Sequence, residues 1–264
     1  MPELTGAVHG APCWVSLMTH DLDSAQRFYT RVLGWEYRPG FRAEEGYCVA
    51  TADGEPVAGL GMTPGTRSFV ASWSVYFGVE DANRMADRIR ERGGTVAVGP
   101  MQFGTGRVAW AADQQDARFG VWQGRASPGW GAVKQSGAPA RIELRTGDAF
   151  AAAMFYGSVF DWDAHDPDRV DVRFESDHVV LRVDGQRVAD LEGGAVEEAP
   201  DPLVRPQWHV YFGVQTAGEV DDAAERARAA GGSVLAGPYE TPAGRIADLR
   251  DPEGSLFHVA WDRE

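Results

Sequence analysis

Lysine is almost missing from this sequence: Lys134 stands alone beside twenty-four arginines. With frequent Ala, Gly, Val and Asp, this is the usage of a high-GC genome, a bias of coding rather than of chemistry. Basic side chains number 25 against 39 acidic ones, a formal charge of -14. Nucleic-acid binding needs clustered Lys and Arg to neutralise phosphates, and an anionic membrane surface attracts the same residues, so neither partner is expected. Cysteine is equally scarce. Cys13 and Cys48 can form one bridge at most, and a chain of 264 residues does not need it. Two reduced thiols in a cytoplasmic protein are expected. No apolar run approaches the ~20 residues that a helix needs to span a bilayer. The opening MPELTGAVHGAPCW lacks the basic region and apolar core of a signal peptide, which again points to the cytoplasm.

What is present is an ordinary globular composition, 44% hydrophobic and 24% charged, with 32 Gly and 15 Pro for many tight turns. It is also repetitive. WSVYFGV (73–79) returns as WHVYFGV (208–214), 135 positions later. GGTVAVGP (93–100) and GTGRVAWAAD (104–113) return as GGSVLAGP (231–238) and PAGRIADLRD (242–251), both offset by 138. The three added residues belong to the intervening helix or its entry turn. DLDSAQRFYTRVLGW (21–35) matches DAFAAAMFYGSVFDW (148–162) at an offset of 127. The chain is a tandem duplication, and each half holds two modules.

Each module opens with a strand, continues into a helix and closes with three further short strands. CWVSLMT, ARIELRT and the two YFGV segments have the β-branched and aromatic content that pleated surfaces prefer. Asp21 and Asp148 are placed to cap the first helix of each half, because a side-chain oxygen there can accept from the unpaired amides of the first turn. Ala25, Phe28, Tyr29, Val32 and Leu33 recur at helical spacing, which turns Phe28 and Tyr29 to the core. The GG pairs at 93–94 and 231–232 mark helix C-termini. The expected class is α+β: four βαβββ modules forming two curled mixed-sheet cups with helices outside. SPGWGAVKQSGAP (127–139) reads as the junction. The expected organisation is a first domain over 1–126, a linker over 127–137 and a second domain over 138–264. The acidic run EGGAVEEAPDP (192–202) is expected to be a solvated loop.

The pattern strand–D–x–x–x–A–x–x–FY–x–x–x–x–GW at 14–35 and the closing DPEGSLFHVAW at 251–261 resemble the vicinal oxygen chelate superfamily. That superfamily contains glyoxalase I, bleomycin-resistance proteins and extradiol dioxygenases. The overall texture is similar to two-domain glyoxalase-like proteins of high-GC bacteria often labelled hydroxylases. The resemblance implies a cup around a divalent metal (Fe, Zn, Ni or Mn), with ligands on the opening strand of each module and on the last strand of a domain. In the first half those positions are Trp14, Ser74 and Gly120, none of them a useful ligand. In the second half they are Arg141, His209 and His258. Glu143 lies two residues beyond Arg141, hence on the same strand face. Glu143, His209 and His258 therefore make a two-histidine, one-carboxylate set of the kind that holds non-haem Fe(II), opposed by the cation of Arg141.

Three functional readings stand open. One is a metal-dependent dioxygenase or glyoxalase-type lyase with Glu143, His209 and His258 as ligands. A second is a metal-free enzyme, of lyase or isomerase type, in which Glu143, His209, His258 and Arg141 run proton transfer at a carbonyl compound. The third is a metal-free resistance or sequestration protein. All three handle a small molecule, and an aromatic or polyketide-like metabolite suits the first half, where Trp14, Ser16, Met18, Ser74, Tyr76 and Trp122 are expected to line a largely aromatic cup. Val15, Val75 and Phe77, together with Trp35 and Trp162, are expected in the core. Four modules complete two cups in one chain, so either a monomer or a homodimer is compatible with the sequence.

Overall fold

The protein was analysed as a computed structural model that describes residues 5–40, 46–63, 71–126, 136–162, 168–175, 178–194 and 205–263. Most of the expected linker (127–135) and most of the acidic run (195–202) lie outside the described residues.

All four modules have the expected order. The first runs β2 (Pro12–Thr19), α1 (Leu22–Leu33), β3 (Glu36–Pro39), β4 (Tyr47–Ala52) and β5 (Glu55–Met62), after a short β1 (Thr5–Gly6). The second runs β6 (Ser72–Gly78), α2 (Ala82–Glu91), β7 (Thr95–Phe103), β8 (Gly106–Ala112) and β9 (Arg118–Gln123), followed by β10 (Arg125–Ala126), which pairs with β1. The third runs β11 (Pro139–Arg145), α3 (Ala149–Phe160), β12 (Val170–Glu175), β13 (His178–Val183) and β14 (Gln186–Glu192). The fourth runs β15 (Gln207–Gly213), α4 (Ala217–Ala229), β16 (Ser233–Thr241), β17 (Gly244–Arg250) and β18 (Leu256–Asp262).

The strands form two eight-stranded sheets, ordered β3-β4-β5-β2-β6-β9-β8-β7 and β12-β13-β14-β11-β15-β18-β17-β16. Both are mixed, because the opening strand of every module pairs in parallel with its last (β2–β5, β6–β9, β11–β14, β15–β18) while the other ladders within each module are antiparallel. The class is α+β, as expected.

Local chemistry explains the helix limits. Asp21 accepts from the Ser24 amide and Asp148 from the Ala151 amide, each at 2.9 Å. Asp81 caps α2, and Thr216 caps α4. Gly93 and Gly231 follow the helix ends with φ of 84° and 89°, a conformation that costs glycine nothing. α2 has 10 residues and α4 has 13, which places the inserted three residues within the helix.

By packing, the chain divides into two compact units, and each takes one module from each half. The first comprises Met1–Trp14, Ser74–Gly131 and Arg141–His209; the second comprises Val15–Trp73, Ala132–Ala140 and Val210–Glu264. The sheets thus follow the covalent halves, whereas the aromatic cores join module two to three and module one to four.

Each core is built to one plan. In the second unit Tyr29 donates to Asp251 Oδ2 at 3.1 Å and accepts from Trp73 Nε1 at 3.1 Å. In the first, Tyr156 donates to Asp113 Oδ2 at 3.1 Å and accepts from Trp208 Nε1 at 3.0 Å. Burial pushes both carboxyls above their usual range. Trp35 donates to Gly137 O and Trp162 to Gly10 O, each at 2.8 Å. These satisfied polar tips let large aromatics be buried without cost to their N–H and O–H groups. Val15, Val75 and Phe77 are fully buried, as expected. Both cysteines are free thiols, and burial raises the pKa of each, which disfavours the thiolate.

Candidate functional site

The face of each sheet turned away from its aromatic core carries the candidate residues. On β18, Phe257 packs against Phe28, Tyr29 and Phe212. His258 turns the other way by strand alternation. It stands in register with Tyr211 of β15 on one side and Asp248 of β17 on the other. His258 Nδ1 is 2.7 Å from Asp248 Oδ1, and the Tyr211 ring stacks on the imidazole with centroids 4.3 Å apart and planes 15° apart. Tyr239 of β16 donates to the Asp248 carboxylate at 3.3 Å. Tyr211, Ile246 and Ala260 form an apolar cluster on this part of the sheet. His258 itself is 0% exposed.

The Nδ1 contact orients the ring. Facing a carboxylate, Nδ1 is assigned the proton, and Nε2 is the nitrogen without one. The Tyr211 ring covers one face of the imidazole and holds its plane. A row of Tyr, His and Asp across three adjacent strands is a set that can take up and return a proton.

The same three positions of the first half hold different residues. Tyr76 of β6 is in register with Gly120 of β9, which is in register with Trp110 of β8. A Cβ at Gly120 would stand 2.3 Å from Tyr76 Cδ1, so the absence of a side chain is what lets the Tyr76 ring lie over the strand. Trp110 Nε1 then donates to the Tyr76 hydroxyl at 3.0 Å. Trp122, half-buried, donates to Arg125 O at 3.2 Å, and Gly106 leaves room for its ring. This row holds glycine and tryptophan where the other half holds His258 and Asp248. It is an aromatic platform.

The remaining expected residues fall as follows. Trp14 and Ser74 are half-buried in the same compact unit as Tyr76 and Trp122; Ser16 is buried and Met18 is 37% exposed, both in the other unit. Arg141, Glu143 and Arg145 alternate onto one face of β11, opposite the fully buried Ile142 and Leu144. Arg145 Nε donates to Glu143 Oε1 at 2.6 Å. His209 is buried on β15. Glu143 and His209 belong to the first compact unit, His258 to the second. Among the described residues no group of three or more His, Cys, Asp or Glu side chains is gathered so as to hold a metal ion.

Sequence reasoning missed Asp248, Tyr211 and Asp190, a buried carboxylate on β14. The signal for the first two was present in the repeat: Trp110 aligns with Asp248 at the offset of 138, and Tyr76 with Tyr211 at 135. Asp190 gave no such signal, since it is brought opposite Glu143 only by the β11–β14 register.

The model of the family described as "Glyoxalase/Bleomycin resistance protein/Dioxygenase superfamily" matches the chain twice, over residues 13–121 and 138–259. CFP32 of Mycobacterium tuberculosis, provisionally called a glyoxylase, is 34% identical over 98% of this chain and 97% of its own. The anthracycline biosynthesis protein DauV of Streptomyces sp. strain C5 is 33% identical over 99% of this chain and 96% of its own. Among solved structures, the Mn(II)-bound glyoxalase of Novosphingobium aromaticivorans is similar with a TM-score of 0.63 at 17% identity, covering 98% of this chain and 84% of that one. The 2,3-dioxygenase LapB of Pseudomonas sp. KL28 also has a TM-score of 0.63, at 14% identity, covering 99% of this chain and 94% of that one. At these identities the two structures speak to the fold alone.

Proposed function

Since the chain belongs to the glyoxalase/bleomycin resistance protein/dioxygenase superfamily, we propose that it handles flat aromatic or polyketide-like carbonyl compounds, for which one half offers an aromatic binding platform and the other, as a separate surface, a Tyr–His–Asp row able to deprotonate. One observation carries this reading: three homologous cross-strand positions hold Tyr76, Gly120 and Trp110 in one half and Tyr211, His258 and Asp248 in the other. Stacking surfaces are well suited to a planar ligand. An imidazole oriented by a carboxylate is well suited to removing a proton next to a carbonyl. Isomerisation, dehydration or cyclisation can each begin with that step, which makes a lyase- or isomerase-type enzyme. The relatives named for anthracycline biosynthesis favour the same ligand class.

A metal-dependent reading draws on the Mn(II)-bound neighbour and on His209 and His258. The donor chemistry does not fit it. Glu143 is engaged by Arg145, and the cation of Arg141 stands on the same face. Metal analysis of protein purified without chelator is expected to give well below one equivalent of Fe, Zn, Ni or Mn. A full equivalent that disappears in His209→Ala and His258→Ala would install the metal-dependent reading instead.

The acid–base reading is tested with 2-tetralone, a bicyclic aromatic ketone with acidic α-hydrogens. Incubated in D2O, it should acquire deuterium at the α-carbon faster with the protein than with buffer, read by mass spectrometry. Exchange at the buffer rate would leave sequestration as the function.

A further inference from the structure

Asp190 is the group that neither the repeat nor the acid–base row explains. Its side chain is 4% exposed, Oδ1 accepts from Arg187 Nε at 2.7 Å, and Oδ2 is buried with no hydrogen-bond partner among the described residues. It stands opposite Glu143 on the neighbouring parallel strand, so two carboxylates lie side by side on one sheet face. Like charges at facing positions oppose each other, and a buried polar atom left unpaired carries a desolvation penalty. The position that corresponds in the first half is Gly59, opposite Ser16. The scaffold therefore does not require a carboxylate here. Arg145 and Arg187 already offset the like charges; a donor from outside the chain would satisfy Oδ2, and its chemistry is constrained by what surrounds it. Arg141, Arg145 and Arg187 share this region with the two carboxylates, so an ammonium group would meet more repulsion than attraction, whereas a neutral hydroxyl would not.

We propose that Asp190 Oδ2 is a ligand subsite that accepts a hydrogen bond from a hydroxyl group of the bound molecule, so that this face of module three selects hydroxylated rings. The proposal rests on the aromatic-ligand reading given above and adds the specificity-determining contact. A carboxylate kept for a ligand burdens the empty protein, which gives a readout that needs no substrate.

The test combines melting and binding of the full chain, with Asp190→Leu and the isosteric Asp190→Asn as variants. Without ligand, Asp190→Leu is expected to melt about 2–4 °C above the unaltered protein. By equilibrium dialysis, the unaltered protein is expected to bind 2,6-dihydroxyanthraquinone about tenfold more tightly than 2,6-dimethoxyanthraquinone, and Asp190→Leu to bind the two alike. Asp190→Asn, which keeps the shape of the side chain, should fold normally and show a reduced preference. Melting of both variants below the unaltered protein would make Asp190 a structural partner of Arg187 and overturn the subsite, as would a preference that survives in Asp190→Leu. An unaltered protein that binds both compounds without preference overturns the subsite alone. One that binds neither overturns the aromatic-ligand reading and the subsite with it.

Discussion

Replacement of His258 by alanine is expected to slow α-deuteration of 2-tetralone by about 10²–10⁴-fold, the usual contribution of a positioned general base. The expectation follows from the way the residue is held. Asp248 faces it directly across the β17–β18 ladder and binds Nδ1 at 2.7 Å, which orients the ring. Asp248→Asn should cause a smaller loss in the same assay, because the imidazole remains while the carboxylate that orients it is gone. Tyr211→Leu, which removes the stacked ring but neither polar partner, should cost less again. Mass spectrometry at several protein concentrations separates these rates from the background. Exchange that is equally fast in His258→Ala would place the base elsewhere.

The second large effect concerns stability. Trp35→Ala is expected to cost about 3–5 kcal/mol, as for other buried large aromatics, out of a total that is commonly only about 5–15 kcal/mol. Trp35 is 1% exposed, stacks on Tyr29 at 5.2 Å, meets Trp73 and Phe212 edge-on, and places its N–H on Gly137 O. Its truncation leaves a cavity and an unsatisfied carbonyl together. Trp122→Ala removes the same side chain from a half-buried position on the aromatic platform, where the fold loses little. Urea unfolding distinguishes them. Equal losses at Trp35 and Trp122 would mean that the platform is simply another part of the core.

That contrast bears on how much the sequence reveals. The repeat, the helix caps at Asp21 and Asp148 and the buried Phe28, Tyr29, Trp35 and Trp162 were all legible, because each depends on local periodicity or on a residue type with one strong physical preference. The packing of module one with module four was not. It depends on which aromatic faces meet, as when Phe28 packs against Phe257, and no local pattern encodes that choice. The candidate site was legible only in part. His258 stood out as a titratable side chain at a position that holds Gly120 in the other half. Asp248 sits in a strand whose sequence, GRIADLR, reads as ordinary, and it acquires its meaning from the antiparallel register that sets it beside His258. Glu143 was legible as a charge but not as the partner of Arg145. Strand register, which fixes side-chain neighbours, is set by the whole sheet rather than by either strand alone.

The duplication thus supplied one scaffold twice and two different surfaces. The most direct measurement of that claim is equilibrium dialysis of 2,6-dihydroxyanthraquinone against three proteins: the unaltered chain, the Trp110→Ala/Trp122→Ala pair and His258→Ala. Loss of the two platform rings is expected to weaken binding by about tenfold or more, whereas His258→Ala should bind within about twofold of the unaltered chain. Binding that collapses in His258→Ala but survives loss of both tryptophans would contradict the division of labour between the halves.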